Sequence, residues 1–167
     1  SGDFLDYFEI DPRYLGFYIA DVSGHGAASA FVTMMLKSLF NQPLRNYRKQ
    51  GDSTVLSPDK ILSYLNHEIL QANLGKYLTL FYGVIDREQD ILHYANAGHY
   101  PRPLLLQNGK REFLGQGSFP VGLFEWASYS SHQLTLSQQF KLLLVSDGVL
   151  EVMALTGAAK KEELLHE

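Results

Sequence analysis

Apolar positions along the chain switch between two periods. Phe4 to Ile10 and Tyr14 to Ala20 alternate loosely and are aromatic-rich. They read as strands. Asp11-Pro12-Arg13 between them is a turn signal, so the two runs predict an antiparallel hairpin. The period then changes. Ala27, Ala28, Ser29 and Ala30 open a run in which Phe31, Val32, Met35, Leu36 and Leu39 recur at helical spacing, predicting a helix over Ala27 to Phe40. Met34 and Met35 read as core filling. Asn41 to Leu56 is polar and reads as a loop, or as a frayed helix end followed by one. Its charges Arg45, Arg48 and Lys49 read as a solvated face rather than a phosphate site. Ser57-Pro58 predicts a second helix start, with Ser57 as the N-cap. Ile61, Leu62, Leu65, Ile69 and Leu70 form its buried stripe, Gly75 ends it, and His67 reads as a surface residue.

The remaining pattern is mostly of period two. Tyr77 to Asp86 and Ile91 to Ala97 read as paired strands. Pro103 to Gln107 and Arg111 to Leu114 flank Asn108-Gly109, a strong hairpin signal. Tyr129 to Leu136 reads as a further strand. Phe140 to Ser146 is so continuously apolar that it predicts a strand buried on both faces. A helix is expected from Val149, and Lys160 to Glu167 reads as a charged helical tail. No βαβ unit repeats, which argues against a parallel doubly wound sheet. The pattern predicts an α+β fold: mainly antiparallel sheets packed face to face, helices outside, one domain over residues 1–167.

Composition narrows the class. The chain has 167 residues, 46% of them hydrophobic, with ten Tyr and ten Phe, enough for one well-packed core. A formal net charge of −4 argues against nucleic acid as the main partner. The absence of cysteine excludes disulfides, zinc–thiolate sites and a cysteine nucleophile, and fits a reducing cytoplasm. No apolar run is long enough to span a bilayer, so no membrane partner is expected. The chain opens on Ser1-Gly2-Asp3 inside a strand motif and closes in the charged tail, so it reads as a fragment of a longer polypeptide.

The chemistry concentrates in three acidic turns. Asp21 ends a strand in GFYIADVSGHG, Asp3 follows Gly2, and Asp147 ends the most apolar strand before Gly148. Asp3 opens one strand of the predicted hairpin and Asp21 closes its partner, so the two are neighbours. Carboxylates and backbone carbonyls are the hard oxygen ligands that Mg²⁺ and Mn²⁺ prefer. Each aspartate alone reads equally well as a turn cap. Three converging carboxylates without basic partners would repel one another, and a divalent cation resolves that repulsion. Two such ions can hold a hydroxide and clamp a phosphate for in-line attack.

SGDFLDYF, ADVSGHG, YANAGHYPRPLLL, the FPVGLF loop and LLLVSDGVLE, in that order, resemble the bacterial branch of the metal-dependent PPM-type serine/threonine phosphatases. That branch includes the sporulation stage II E phosphatase and the phosphatases that regulate sigma factors. The resemblance implies an α-β-β-α sandwich and two ions, Mn²⁺ or Mg²⁺. It implies metal ligation by Asp3, Asp21, the Val22 carbonyl and Asp147. It further implies direct attack of a bridging hydroxide on phosphoserine or phosphothreonine, with Asp21 central to catalysis. His25 is the candidate proton donor to the leaving oxygen. Asp6 is a candidate for orienting Asp3 or a water. Asn96, Gly98 and His99 read as loop-shaping residues. The implied partners are a phosphorylated anti-sigma-factor antagonist and an upstream receiver or sensor domain, as in RssB-type response regulators. A homodimer is compatible with the resemblance. The family's C-terminal Asp-Asp motif is absent from these 167 residues, so the resemblance implies a domain incomplete at both ends. The competing readings are a phosphatase-like adaptor that binds a sigma factor or its regulator, and a small-molecule phosphohydrolase.

Overall fold

The computed structural model describes residues 3–24, 26–146, 149–156 and 161–166. In chain order the first elements are β1 (Asp3–Glu9), β2 (Tyr14–Val22), α1 (Ala27–Gln50), a 3₁₀ turn at Ser53–Leu56, and α2 (Pro58–Ala72). Strands follow: β3 (Leu78–Asp86), β4 (Ile91–Ala97), β5 (Leu104–Gln107), β6 (Lys110–Phe113), β7 (His132–Thr135), β8 (Gln139–Ser146), β9 (Val149–Thr156) and β10 (Lys161–His166). They form two antiparallel five-stranded sheets. The first runs β1-β2-β3-β4-β7 and the second β10-β9-β8-β5-β6.

Alternation along each strand builds two cores on either side of the first sheet. Tyr18, Ala20 and Val22 of β2 and Leu78, Leu80, Tyr82 and Val84 of β3 face the helices. There they meet Val32, Leu36 and Phe40 of α1 and Ile61, Leu62, Leu65 and Ile69 of α2. Leu15, Phe17 and Ile19 of β2, with Phe81 and Ile85 of β3, face the second sheet and meet Phe140, Leu142 and Leu144 of β8. Gly83 is required by this second packing, because an added β-carbon would sit 2.4 Å from the Phe17 ring. The α+β class and the face-to-face sheets are as the sequence predicts. Among the described residues, both helices lie on the outer face of the first sheet. None of these helices is long and apolar enough to cross a membrane.

Helix α1 departs most from its sequence pattern. It continues to Gln50, through Pro43, and stops at a left-handed Gly51 whose N–H meets the Tyr47 carbonyl. Proline cannot donate to the carbonyl four residues back, that of Leu39. The Tyr64 hydroxyl of α2 takes that carbonyl instead, at 2.7 Å, so the helix survives the proline. The buried stripe is Ser29, Val32, Leu36, Phe40 and Pro43. Phe31 and Met34 are exposed, and Met34, at 71% exposure, fills no core. Arg48 donates to the carbonyls of Glu9 and Ile10, clamping the end of α1 onto the β1–β2 turn. That turn lies at the far end of β2 from Asp21, about 24 Å along seven residues of strand, which removes Arg48 from the candidate site.

Five smaller corrections concern caps, burial and element type. Helix α2 ends at left-handed Asn73 rather than Gly75, and Ser57 makes no side-chain cap bond. The first free N–H of α2 is met from outside, by the Ser131 hydroxyl on Asp59 N at 2.9 Å. Strand β8 is buried on one face only: Leu142 and Leu144 are buried, Lys141 is exposed, and Leu143 and Val145 are half-buried. The chain from Val149 is strand rather than helix, and Lys161–His166 is strand rather than helical tail. The reason is tertiary pairing. The edge of β8 offers unpaired backbone groups, and β9 takes them from Ser146↔Val149 to Gln139↔Thr156, with β10 then pairing β9. Such ladders override the helical propensity of Leu, Glu and Lys.

Candidate metal centre

Asp21 occupies the last position of β2 that faces the second sheet, beyond Leu15, Phe17 and Ile19. The apolar core stops there and its side chain is exposed. Its register partner on β1 is Asp3, and its partner on β3 is Thr79, so Asp3, Asp21 and Thr79 stand in a row across three strands. Two aspartates at directly opposed positions destabilise a sheet unless something neutral or cationic intervenes. Among the described residues Asp21 has no hydrogen bond or ion pair, so no protein cation supplies that compensation.

The turn after β2 is pinned on both sides. Ser23 N donates to the Tyr77 carbonyl at 2.9 Å, and Tyr77 N donates to the Ser23 hydroxyl at 3.1 Å. The Ser29 hydroxyl, in the first turn of α1, donates to the Ser23 carbonyl at 3.0 Å. The Lys76 ammonium lies against Gly24, where an added β-carbon would be 2.7 Å from Nζ. Lys76 therefore brings a positive charge to the Asp21 turn. Residues 25 and 147, two of the sequence candidates, lie outside the described residues. Val22 is the last residue of β2, with its side chain buried under the helices.

Asp6 does not join this group. It lies on the helix-facing side of β1, opposite to Asp3, because the two positions differ by an odd number. There its carboxylate accepts from the Tyr7 N–H at 2.9 Å and the Tyr18 hydroxyl at 3.4 Å.

His99 does join it. The loop after β4 returns between the sheets, and His99 is only 3% exposed. Asn96 fixes its backbone from both sides, accepting from His99 N at 2.8 Å and donating to His99 O at 3.1 Å. The ring Nε2 lies 3.2 Å from the carbonyl of Val145, near the end of β8. Burial pushes the imidazole below its ordinary pKa, against the opposing pull of the Val145 carbonyl and the Asp21 charge. One buried side chain thus reaches the β8 end while sensing Asp21. The sequence signal was present in ANAGH, where an Asn three residues before a His suits a tight side-chain-capped turn. The two-sheet contact was not.

The donor set at Asp3 and Asp21 is hard oxygen, which suits Mg²⁺ or Mn²⁺. Among the described residues no group of three or more His, Asp or Glu side chains assembles a centre by itself. Asp3 and Asp21, opposed in register at the end of the sheet, fit such an ion by donor type. Asn96, Ser118, Ser128, Ser130 and His132 line a polar pocket of about 250 Å³. Asn96 lies two strands from Asp21 on the same face, about 10 Å across the sheet.

Two antiparallel sheets with helices over the first are the fold of PP2C-type, or PPM, phosphatase domains. The fold matches the PP2C phosphatase domain of SpoIIE from Bacillus subtilis with a TM-score of 0.69, at 18% identity, over 89% of this chain and 41% of that one. It also matches RsbX in complex with magnesium, with a TM-score of 0.64, at 20% identity, over 88% of this chain and 66% of that one. The chain belongs to the stage II sporulation protein E (SpoIIE) family, whose model matches residues 11–167. It is 35% identical over 159 residues to the phosphoserine phosphatase RsbP of Bacillus subtilis strain 168, covering 92% of this chain and 38% of RsbP. The chain thus spans well under half the length of that relative.

Proposed function

We propose that the protein is a divalent-metal-dependent phosphatase that hydrolyses phosphoserine or phosphothreonine on a regulatory protein of the anti-sigma-antagonist kind. The observation that carries this reading is the Asp3↔Asp21 register pair at the open end of the inter-sheet core, with no protein cation on Asp21 among the described residues. Family membership and the similarity to RsbP support it.

In this reading Asp3 and Asp21 would hold the metal, with the Val22 carbonyl and Asp147 as further ligands. When bound, a divalent ion there would neutralise phosphate charge and lower the pKa of a water so that hydroxide is available for attack on phosphorus. The RsbX complex with magnesium supports a hard divalent ion. Lys76 meets a phosphate oxygen beside the Gly24 turn. His25 donates a proton to the serine oxygen as its bond to phosphorus breaks. A sensor or receiver domain upstream would control access to the site.

The test is phosphate release from a phosphoserine-bearing protein and from free phosphoserine, with Mn²⁺ and with chelator, for wild type and Asp21→Asn. The reading predicts Mn²⁺-dependent release from the protein substrate, weaker release from free phosphoserine, and near-complete loss in Asp21→Asn. Equal activity on free phosphoserine identifies a small-molecule phosphohydrolase. No turnover by the folded wild type identifies an adaptor.

A further inference from the structure

We infer that His99 is a positioning residue, a strap that ties the β8 end to the first sheet and so sets the geometry of the metal centre at Asp21. The inference rests on the metal reading above. Four observations carry it. His99 is almost fully buried between the two sheets. Its Nε2 contacts the Val145 carbonyl at 3.2 Å. A carbonyl only accepts, so Nε2 carries the hydrogen and donates it. Its backbone is held on both sides by Asn96, which leaves the ring little freedom. Gly98 fits the same loop tightly, since an added β-carbon would lie 3.1 Å from the Ser118 carbonyl.

The consequence for the site is geometric. Asp21 sits on the first sheet and Val145 on the second, near the end of β8. A directional polar contact fixes the spacing of the two sheets at that end more sharply than apolar packing, which is non-directional. The core residues Leu142 and Leu144 stop short of the mouth, and His99 takes over where they end. Nδ1 of the same ring is buried and has no hydrogen-bond partner among the described residues.

The strap makes specific demands on substitution. Glutamine places an amide N–H near the Nε2 position and can still donate to Val145. Phenylalanine fills the volume with no donor. The experiment is a calorimetric Mn²⁺ titration of the purified protein as wild type, His99→Phe and His99→Gln, with thermal melts of all three. We expect His99→Phe to bind Mn²⁺ on the order of tenfold more weakly, as for other residues that orient metal ligands, and His99→Gln to recover most of that loss. Wild-type Mn²⁺ affinity in His99→Phe overturns the inference, as does a His99→Gln as weak as His99→Phe. A wild type that binds no Mn²⁺ overturns the metal reading itself and takes this inference with it. Ring ¹⁵N shifts of His99 in the wild type give a readout independent of any variant's folding. A ring with hydrogen on Nε2 is expected, and a tautomer protonated on Nδ1 alone contradicts the strap.

Discussion

At the residue scale, polar side chains at the two ends of the first sheet do opposite work. At the far end, Arg13 forms a two-pronged pair with Asp86, at 3.0 and 2.9 Å. Burial alone would raise the Asp86 pKa, but Arg13 and the N–H groups of Gln89 and Glu88 overcome it and hold the carboxyl below its usual value. A carboxyl depressed in the folded state stabilises the fold above the unfolded pKa, and that contribution is lost as pH falls through the folded value. Acid melts should therefore show Asp86→Asn less stable than wild type at neutral pH, with the difference shrinking as pH drops below about 4. At the near end, Asp21 has no such partner among the described residues. That contrast between a compensated and an uncompensated aspartate marks the site. The sequence shows both residues as aspartates at strand ends and sets Asp21 apart by its glycine-rich turn, while the Arg13 partner of Asp86 appears only in the fold.

Single polar contacts also decide which elements persist. Helix α1 reads in sequence as ending near Phe40, because Pro43 and the polar run after it break the pattern. The structure carries it on because Tyr64, a residue of another helix, satisfies the carbonyl that Pro43 cannot. Tyr64→Phe should lower stability by about 1 kcal/mol, read from denaturant midpoints, with the loss concentrated in amide exchange around Leu39 to Tyr47. Asn66 does a similar service for the glycine-rich loop. Its amide accepts from Gly122 N at 2.7 Å and donates to Phe124 O at 3.0 Å, from a buried position on α2. Asn66→Ala should cost about 1–3 kcal/mol, because it strands two part-buried backbone groups. Unchanged stability in that variant would contradict the assignment of the loop to α2. Neither contact is visible in sequence, since each joins residues that only the fold brings together. Hairpins were legible for the converse reason: Asn108-Gly109 and Asp11-Pro12-Arg13 specify their turns locally. The stretch from Val149 was not, because its strand state depends on the open edge of β8.

At the scale of the whole molecule, the account rests on where the apolar core stops. Two sheets packed through Phe17, Phe81, Leu142 and Leu144 exclude water along most of their length. At one end the inward positions turn acidic and the loops carrying Ser23 and His99 close around them. The alternation of strands, the antiparallel pairing and the opposition of Asp3 to Asp21 could all be read from the sequence. The part played by His99, the approach of Lys76 to the turn, and the exclusion of Asp6 could not. They depend on which face each strand presents and on what the second sheet brings near. The claim at the centre is that this acidic end holds a divalent cation. The most direct measurement is a calorimetric Mn²⁺ titration of wild type beside Asp21→Asn, with both melts recorded. The account predicts saturable binding by the wild type that is lost or greatly weakened in an equally folded Asp21→Asn. Equal Mn²⁺ binding by the two proteins would contradict it.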